Sequence, residues 1–126
     1  MKEVMAVIRM NMMNKTKRAL ADAGISSLHA KECLGRGKGL IEIPQDAPGG
    51  AERYAGMAQE LGVAGRLVPK RMISVIVPDK LVKTVVNTVI GVNKTGRSGD
   101  GKIFVMPVSE SWRIRSGESG DEVLDM

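Results

Sequence analysis

What most constrains this chain is a strand–helix–strand pattern that occurs twice, on either side of a stretch with no periodicity. Val4-Met5-Ala6-Val7-Ile8-Arg9 is a short β-type run. After it Met12, Thr16, Ala19, Leu20 and Ala23 recur at helical spacing, with Lys15, Lys17, Arg18 and Asp22 largely off that stripe. Asn14 reads as the N-cap and Gly24 as the stop. A second strand is predicted from Ile25 to Leu34. The second half repeats the order. Met72-Ile73-Ser74-Val75-Ile76-Val77 is a β-branched strand ended by Pro78. Asp79 reads as the cap of a helix whose stripe is Val82, Val85, Val86, Val89 and Ile90. Ile103 to Val108 is the next strand. Trp112-Arg113-Ile114-Arg115 alternates apolar and cationic residues, which predicts a short extra strand with both arginines on one face.

This order, β-α-β-β-α-β, is that of the ferredoxin-like arrangement in the α+β class. With both helices on one face of the sheet, the other face needs cover, and self-association supplies it. A length of 126 residues suits one domain over 1–126. Between the halves, Gly35-Arg36-Gly37-Lys38-Gly39 leads into a turn-rich stretch with Pro44, Pro48, Gly49 and Gly50. A dinucleotide fingerprint needs a glycine at position 40, which is Leu40, so that reading fails. Met57 and Leu61 sit four apart, as in a turn or two of helix. A loop this long, about 36–66, is expected to be functional, and partner contact is its preferred reading. The acidic end, 118–126, reads as a flexible tail.

Chemistry concentrates in Thr95-Gly96-Arg97-Ser98-Gly99-Asp100-Gly101-Lys102. Glycines let backbone N–H groups approach a ligand, so such loops cradle phosphate oxygens, and Lys102 adds a compact charge. Gly96, Gly101 and Lys102 fit the start of a P-loop. However, Ile103 stands where a magnesium-binding Ser or Thr belongs, and a strand follows instead of a helix. Anion binding is retained and a P-loop NTPase rejected. A net charge of +5 fits nucleic acid or anionic metabolites. With only Tyr54, Phe104 and Trp112 for stacking, nucleic acid is disfavoured, and a small RNA-binding domain on the same fold is the lesser alternative. His29 reads as a sheet-face residue, since no second His and no Cys pair supports a metal site with Cys33. No nucleophile lies beside a base, so no enzyme is expected. The lone Cys33 and the absence of a secretory signal or apolar span point to the cytoplasm, without membrane insertion.

Thr95-Gly96, Gly99-Asp100-Gly101-Lys102-Ile103-Phe104-Val105 and Arg113-Ile114-Arg115-Ser116-Gly117-Glu118 together resemble the C-terminal signature of the PII nitrogen-regulatory proteins. Gly35-Arg36-Gly37-Lys38 resembles the segment that opens that family's T-loop, and Leu67-Val68-Pro69-Lys70 the segment that closes it. The resemblance implies a trimer that binds ATP or ADP in clefts between neighbours, senses 2-oxoglutarate with magnesium, and docks on targets through the T-loop. Carried over by motif, Gly99, Asp100, Gly101 and Lys102 would contact phosphates. Gly35, Gly37 and Lys38 would lie against the nucleotide, and Arg113 and Arg115 would reach it from the adjacent subunit. Lys70 would meet 2-oxoglutarate. Where the family usually has a glutamine that helps position magnesium and effector, this sequence has either Gly39 or a gap. Tyr54 is no clear counterpart of the family's modified tyrosine, so uridylylation is not expected. Asn93-Lys94-Thr95-Gly96 and the Gly35 to Lys38 spelling resemble the branch encoded beside nitrogenase genes in archaea and anaerobes, in particular the second of its two co-assembling types. That resemblance implies a homotrimer or a hetero-oligomer with a paralogue, with dinitrogenase as target. An ammonium transporter or glutamine synthetase is the alternative target.

Overall fold

The computed structural model describes residues 1–37, 49–50, 53 and 67–126. Leu40, Pro44, Pro48, Tyr54, Met57 and Leu61 lie outside them, as do Lys38 and Gly39. The chain divides into two compact units, Met1–Cys33 with Lys70–Met126, and Leu34–Pro69. In the second, Gly49 and Gly50 both take positive φ, and Arg53 is helical.

The elements run β1 (Lys2–Arg9), α1 (Met13–Asp22), β2 (His29–Gly35), β3 (Val68–Val77), α2 (Val82–Asn93) and β4 (Lys102–Pro107). They form one four-stranded sheet in the order β2-β3-β1-β4, with β1 antiparallel to both neighbours. The expected ferredoxin-like α+β fold is thus the observed one.

Alternation along the central strands builds the core. Val4, Ala6 and Ile8 of β1 and Ile73, Val75 and Val77 of β3 are buried on one face, against Leu20 of α1 and Val85 and Val89 of α2. A polar contact joins the two helices inside this core. Asn93 donates from Nδ2 to Thr16 Oγ1 at 3.0 Å, and the Thr16 hydroxyl donates to the Met12 carbonyl at 2.7 Å. On the opposite face, register sets Met5 beside Ser74 and Phe104, and Val7 beside Met72 and Lys102. This face carries no helix of its own, and Phe104 and Ile76 are exposed on it.

Several boundaries differ from the sequence reading. The second strand starts at His29 rather than Ile25, because Ile25 finishes the preceding helix. Its N–H donates to the Leu20 carbonyl at 2.8 Å, and its side chain plugs the core. Asn14 is no cap. The chain enters α1 through a 3-10 turn at Met10–Met12, which places Asn14 inside the helix. Asp79 likewise begins a 3-10 turn, and its carboxylate is taken by Lys2 at 3.0 Å and by the Met1 amino group at 3.2 Å. These bonds, that from Lys2 foremost, hold the Asp79 carboxyl below its ordinary range.

The C-terminal segment departs furthest. No extra strand forms at Trp112–Arg115. Gly117 at φ 74 closes a tight turn in which its N–H donates to the Arg113 carbonyl at 2.7 Å, while the Arg113 N–H donates to the Glu118 carbonyl at 2.8 Å. A single bridge joins Trp112 and Ser119. The acidic end expected to be loose carries a 3-10 turn at Asp121–Val123, and Asp125 lies 3.5 Å from the Arg113 guanidinium.

Candidate anion site at the glycine loop

α2 ends at Asn93, and the eight residues from Lys94 to Gly101 lead into β4. Asp100 folds this loop onto itself. Its carboxylate accepts the Thr95 N–H at 2.8 Å, the Gly96 N–H at 3.0 Å, the Thr95 hydroxyl, and the Arg9 guanidinium at 2.7 Å. The Thr95 hydroxyl and N–H, then Arg9, keep this carboxyl ionised far below the usual carboxylate range. Asp100 therefore spends its acceptors on Thr95, Gly96 and Arg9, which holds the loop backbone against β1.

Gly101 makes the closest approach. At φ 112, a Cβ there would lie 2.0 Å from the Val7 carbonyl oxygen, so only glycine lets the loop press against β1. Gly99, at φ 95, leaves room for two cations, since a Cβ would sit 3.3 Å from Arg9 Nη2 and 3.8 Å from Lys70 Nζ.

Arg9 is the candidate site residue that motif reading missed. It donates to the Ser98 carbonyl at 3.0 Å as well as to Asp100, while Lys70 donates to the Gly99 carbonyl at 3.3 Å. Arg9 and Lys70 are cross-strand partners, and Lys102 pairs with Val7 two residues back along the same strand face. The signal was available in register. β1 ends on Arg9, and its antiparallel partner Lys70, the third residue of β3, lies at the same edge, where the glycine loop enters β4. At this corner of the sheet Arg9 thus pairs with the Asp100 carboxylate and Lys70 holds the Gly99 carbonyl, with Lys102 opening β4 beside the loop. Such a set suits a polyanion better than a single charge.

The remaining expected residues fall elsewhere. Gly35 ends β2 and Gly37 follows it, in the segment between the halves, and Lys38 lies outside the described residues. Arg113 pairs with Glu118 at 3.1 Å and Asp125 at 3.5 Å, and Arg115 is exposed on the same turn. Within one chain, then, Arg113 is engaged by its own C-terminal segment. His29 lies in a shallow hollow of about 270 Å³ on the helix-free face, with Met5, Met72 and a Ser74–Glu3 hydrogen bond of 2.6 Å. A larger cleft of about 470 Å³ opens beside the glycine loop, between α2 and β4. Among the described residues no three His, Cys, Asp or Glu side chains gather as a metal ion would require.

Comparison with known proteins bears on this geometry. Residues 1–118 match a family model described as nitrogen regulatory protein P-II. The nitrogen fixation nifHD region GlnB-like protein 2 of Methanobacterium ivanovii is 42% identical, the match covering 98% of this chain and 99% of the relative. The nifHD1 region GlnB-like protein 2 of Methanosarcina barkeri is 40% identical, with the same two shares covered. Among solved structures, Arabidopsis thaliana PII bound to citrate superposes with a TM-score of 0.73 at 27% identity, covering 99% of this chain and 90% of that one.

Proposed function

The chain belongs to the PII family of nitrogen regulatory proteins, and we propose that it is a sensor that captures ATP or ADP between neighbouring copies and controls nitrogenase. PII proteins are signalling regulators rather than enzymes. The observation that carries the reading is the glycine loop pinned by Asp100, with Arg9, Lys70 and Lys102 gathered beside it. Loop N–H groups and these cations would hold the polyphosphate, with Arg113 and Arg115 arriving from an adjacent copy of a trimer. Gly35, Gly37 and Lys38 would lie against the nucleotide from the opening of the long loop.

Lys70 already donates to the loop backbone, at the Gly99 carbonyl. A dicarboxylate such as 2-oxoglutarate would draw Lys70 off that carbonyl, which couples effector to nucleotide. Citrate, the ligand of the Arabidopsis neighbour, is likewise a polycarboxylate. Magnesium would neutralise phosphate charge. Its ligands would be phosphate and effector oxygens rather than Asp100, whose lone pairs are taken by Thr95, Gly96 and Arg9.

The nifHD-region names of the relatives favour dinitrogenase as target over an ammonium transporter or glutamine synthetase. Residues 36–66 would grip it, in a cytoplasmic particle built from this chain alone or with a paralogue. Effector acts only through different affinity for the gripping and released states, and a tenfold change needs about 1.4 kcal/mol of that difference. Among the described residues no helix is long and apolar enough to cross a membrane.

Calorimetry with magnesium-ATP, with and without 2-oxoglutarate, tests the proposal. Saturable binding of one ATP per subunit, tightened by 2-oxoglutarate, is expected. Absence of ATP binding, or RNA binding that falls steeply with added salt, would overturn it.

A further inference from the structure

The most exposed apolar side chain among the described residues is Ile114, at 101% of its free accessibility, with Trp112 beside it at 58%. Such exposure on a floppy tail would mean little. Here the turn is built. The bridge at Trp112 and Ser119 and the Gly117–Arg113 and Arg113–Glu118 backbone bonds fix its shape and hold Ile114 at its tip. A preformed apolar tip loses little conformational freedom on docking.

The same molecule carries a receptor of matching chemistry. The 470 Å³ cleft is walled by Val86, Val89 and Ile90 of α2 and by Ile103 and Val105 of β4, and Ile90 and Val105 are each 45% exposed. Its glycine-loop end carries Lys94, Lys102 and Asp100, the last already paired with Arg9. The turn that bears Ile114 is followed by Glu118, Asp121, Glu122 and Asp125. An apolar tip backed by carboxylates therefore faces an apolar cleft whose rim carries two lysines and an aspartate neutralised by Arg9.

We infer that Ile114 is an intersubunit peg that seats in the α2–β4 cleft of a neighbouring copy of this chain. The inference rests on the reading that copies meet at the glycine loop, and deepens it. Arg113 and Arg115 flank Ile114 in sequence, so a tip seated in a cleft that opens at that loop delivers both guanidinium groups to the phosphate position. The peg fixes where the arginines arrive, and the glycine loop fixes what they find there. Nucleotide charge then replaces Glu118 and Asp125 as the partner of Arg113. Loss of these exposed ion pairs costs little.

Cysteine pairing tests the contact directly. In a Cys33→Ser background, Ile114→Cys with Ile90→Cys should give covalent dimers and trimers on a non-reducing gel once a mild oxidant removes the two thiol hydrogens. Ile114→Cys with Lys17→Cys, on exposed α1, should give none. Separately, Ile114→Ala should raise the subunit dissociation constant roughly tenfold, the factor expected for one large aliphatic side chain, and weaken ATP binding with it. If the unaltered protein is a trimer by light scattering, yet the Ile90 pair gives no cross-link and Ile114→Ala changes neither mass nor ATP affinity, the peg is overturned while assembly stands. If the unaltered protein is a monomer at every concentration, both readings fall.

Discussion

Arg9, the last residue of β1, holds Asp100 across the glycine loop through a 2.7 Å ion pair, although the two lie 91 residues apart in sequence. This pair joins the central strand of the sheet to the loop that follows α2. The same carboxylate also collects three donors from Thr95 and Gly96, so one side chain sets the path of the whole loop.

Replacing Asp100 with Asn keeps the size but removes the charge and turns half of the carboxylate into a donor. Thr95, Gly96 and Arg9 then compete for one oxygen. The expected outcome is a folded protein with ATP affinity lowered about tenfold or more, since the loop loses hydrogen bonds made to a charged group. Arg9→Ala should act in the same direction. Calorimetry on each variant, with thermal melting to confirm folding, is the check.

The pH response follows from the same group. The folded-state value of Asp100 is depressed, so the stability it contributes is present above its unfolded value, about 3.9, and is lost only as pH falls through the lower folded value. Titration of Asp100 should therefore leave the loop unchanged from neutrality down to about pH 4. An NMR probe on the Thr95 and Gly96 amides should hold its shift over that range and move only in stronger acid.

Gly101→Ala meets two obstacles at once, a left-handed φ of 112 and a methyl 2.0 Å from the Val7 carbonyl. The φ alone costs on the order of 1–3 kcal/mol, and the clash forces β1 and the loop apart. Denaturant unfolding should record that loss, and ATP binding should fail well before the fold does.

How much of this could be seen beforehand depends on whether the information was local. Strand alternation at Val4, Ala6 and Ile8 and the helical stripe through Thr16 and Leu20 are local patterns, and the fold order followed from them. Glycine spacing marked the loop. Arg9 was invisible because its role arises from cross-strand register, which no single segment carries. The failed caps share one cause. Asn14 and Asp79 each follow or open a 3-10 turn, which shifts the helix start and frees or redirects the side chain. At Trp112–Arg115 alternation suggested a strand, but the Gly117 turn and the Arg113 ion pairs bend the chain before a partner strand can form.

The core makes its own prediction. Thr16 and Asn93 are both buried, and their 3.0 Å bond is the polar tie between the helices. Thr16→Val should cost about 1–3 kcal/mol by leaving an Asn93 donor short of a partner. Adding Asn93→Leu should cost less than the sum of the two single changes, because the orphaned amide is then gone. A double-mutant cycle by urea unfolding measures this coupling.

Residues 41–64 should be dispensable for folding and nucleotide binding. Among the described residues every buried core residue lies in Met1–Cys33 or Lys70–Met126, and so do Arg9, Lys70, Asp100 and Lys102. Deleting the segment removes none of these. The shortened chain should keep its oligomeric mass and bind ATP within about threefold of the full chain, by the slow growth of loop-closure entropy with length. Target control should vanish if the segment is the gripping element. A nitrogenase assay with both forms decides it. Inhibition by the shortened protein would move the docking surface onto the sheet-and-helix body, while loss of inhibition with ATP binding intact separates the site that senses from the segment that acts.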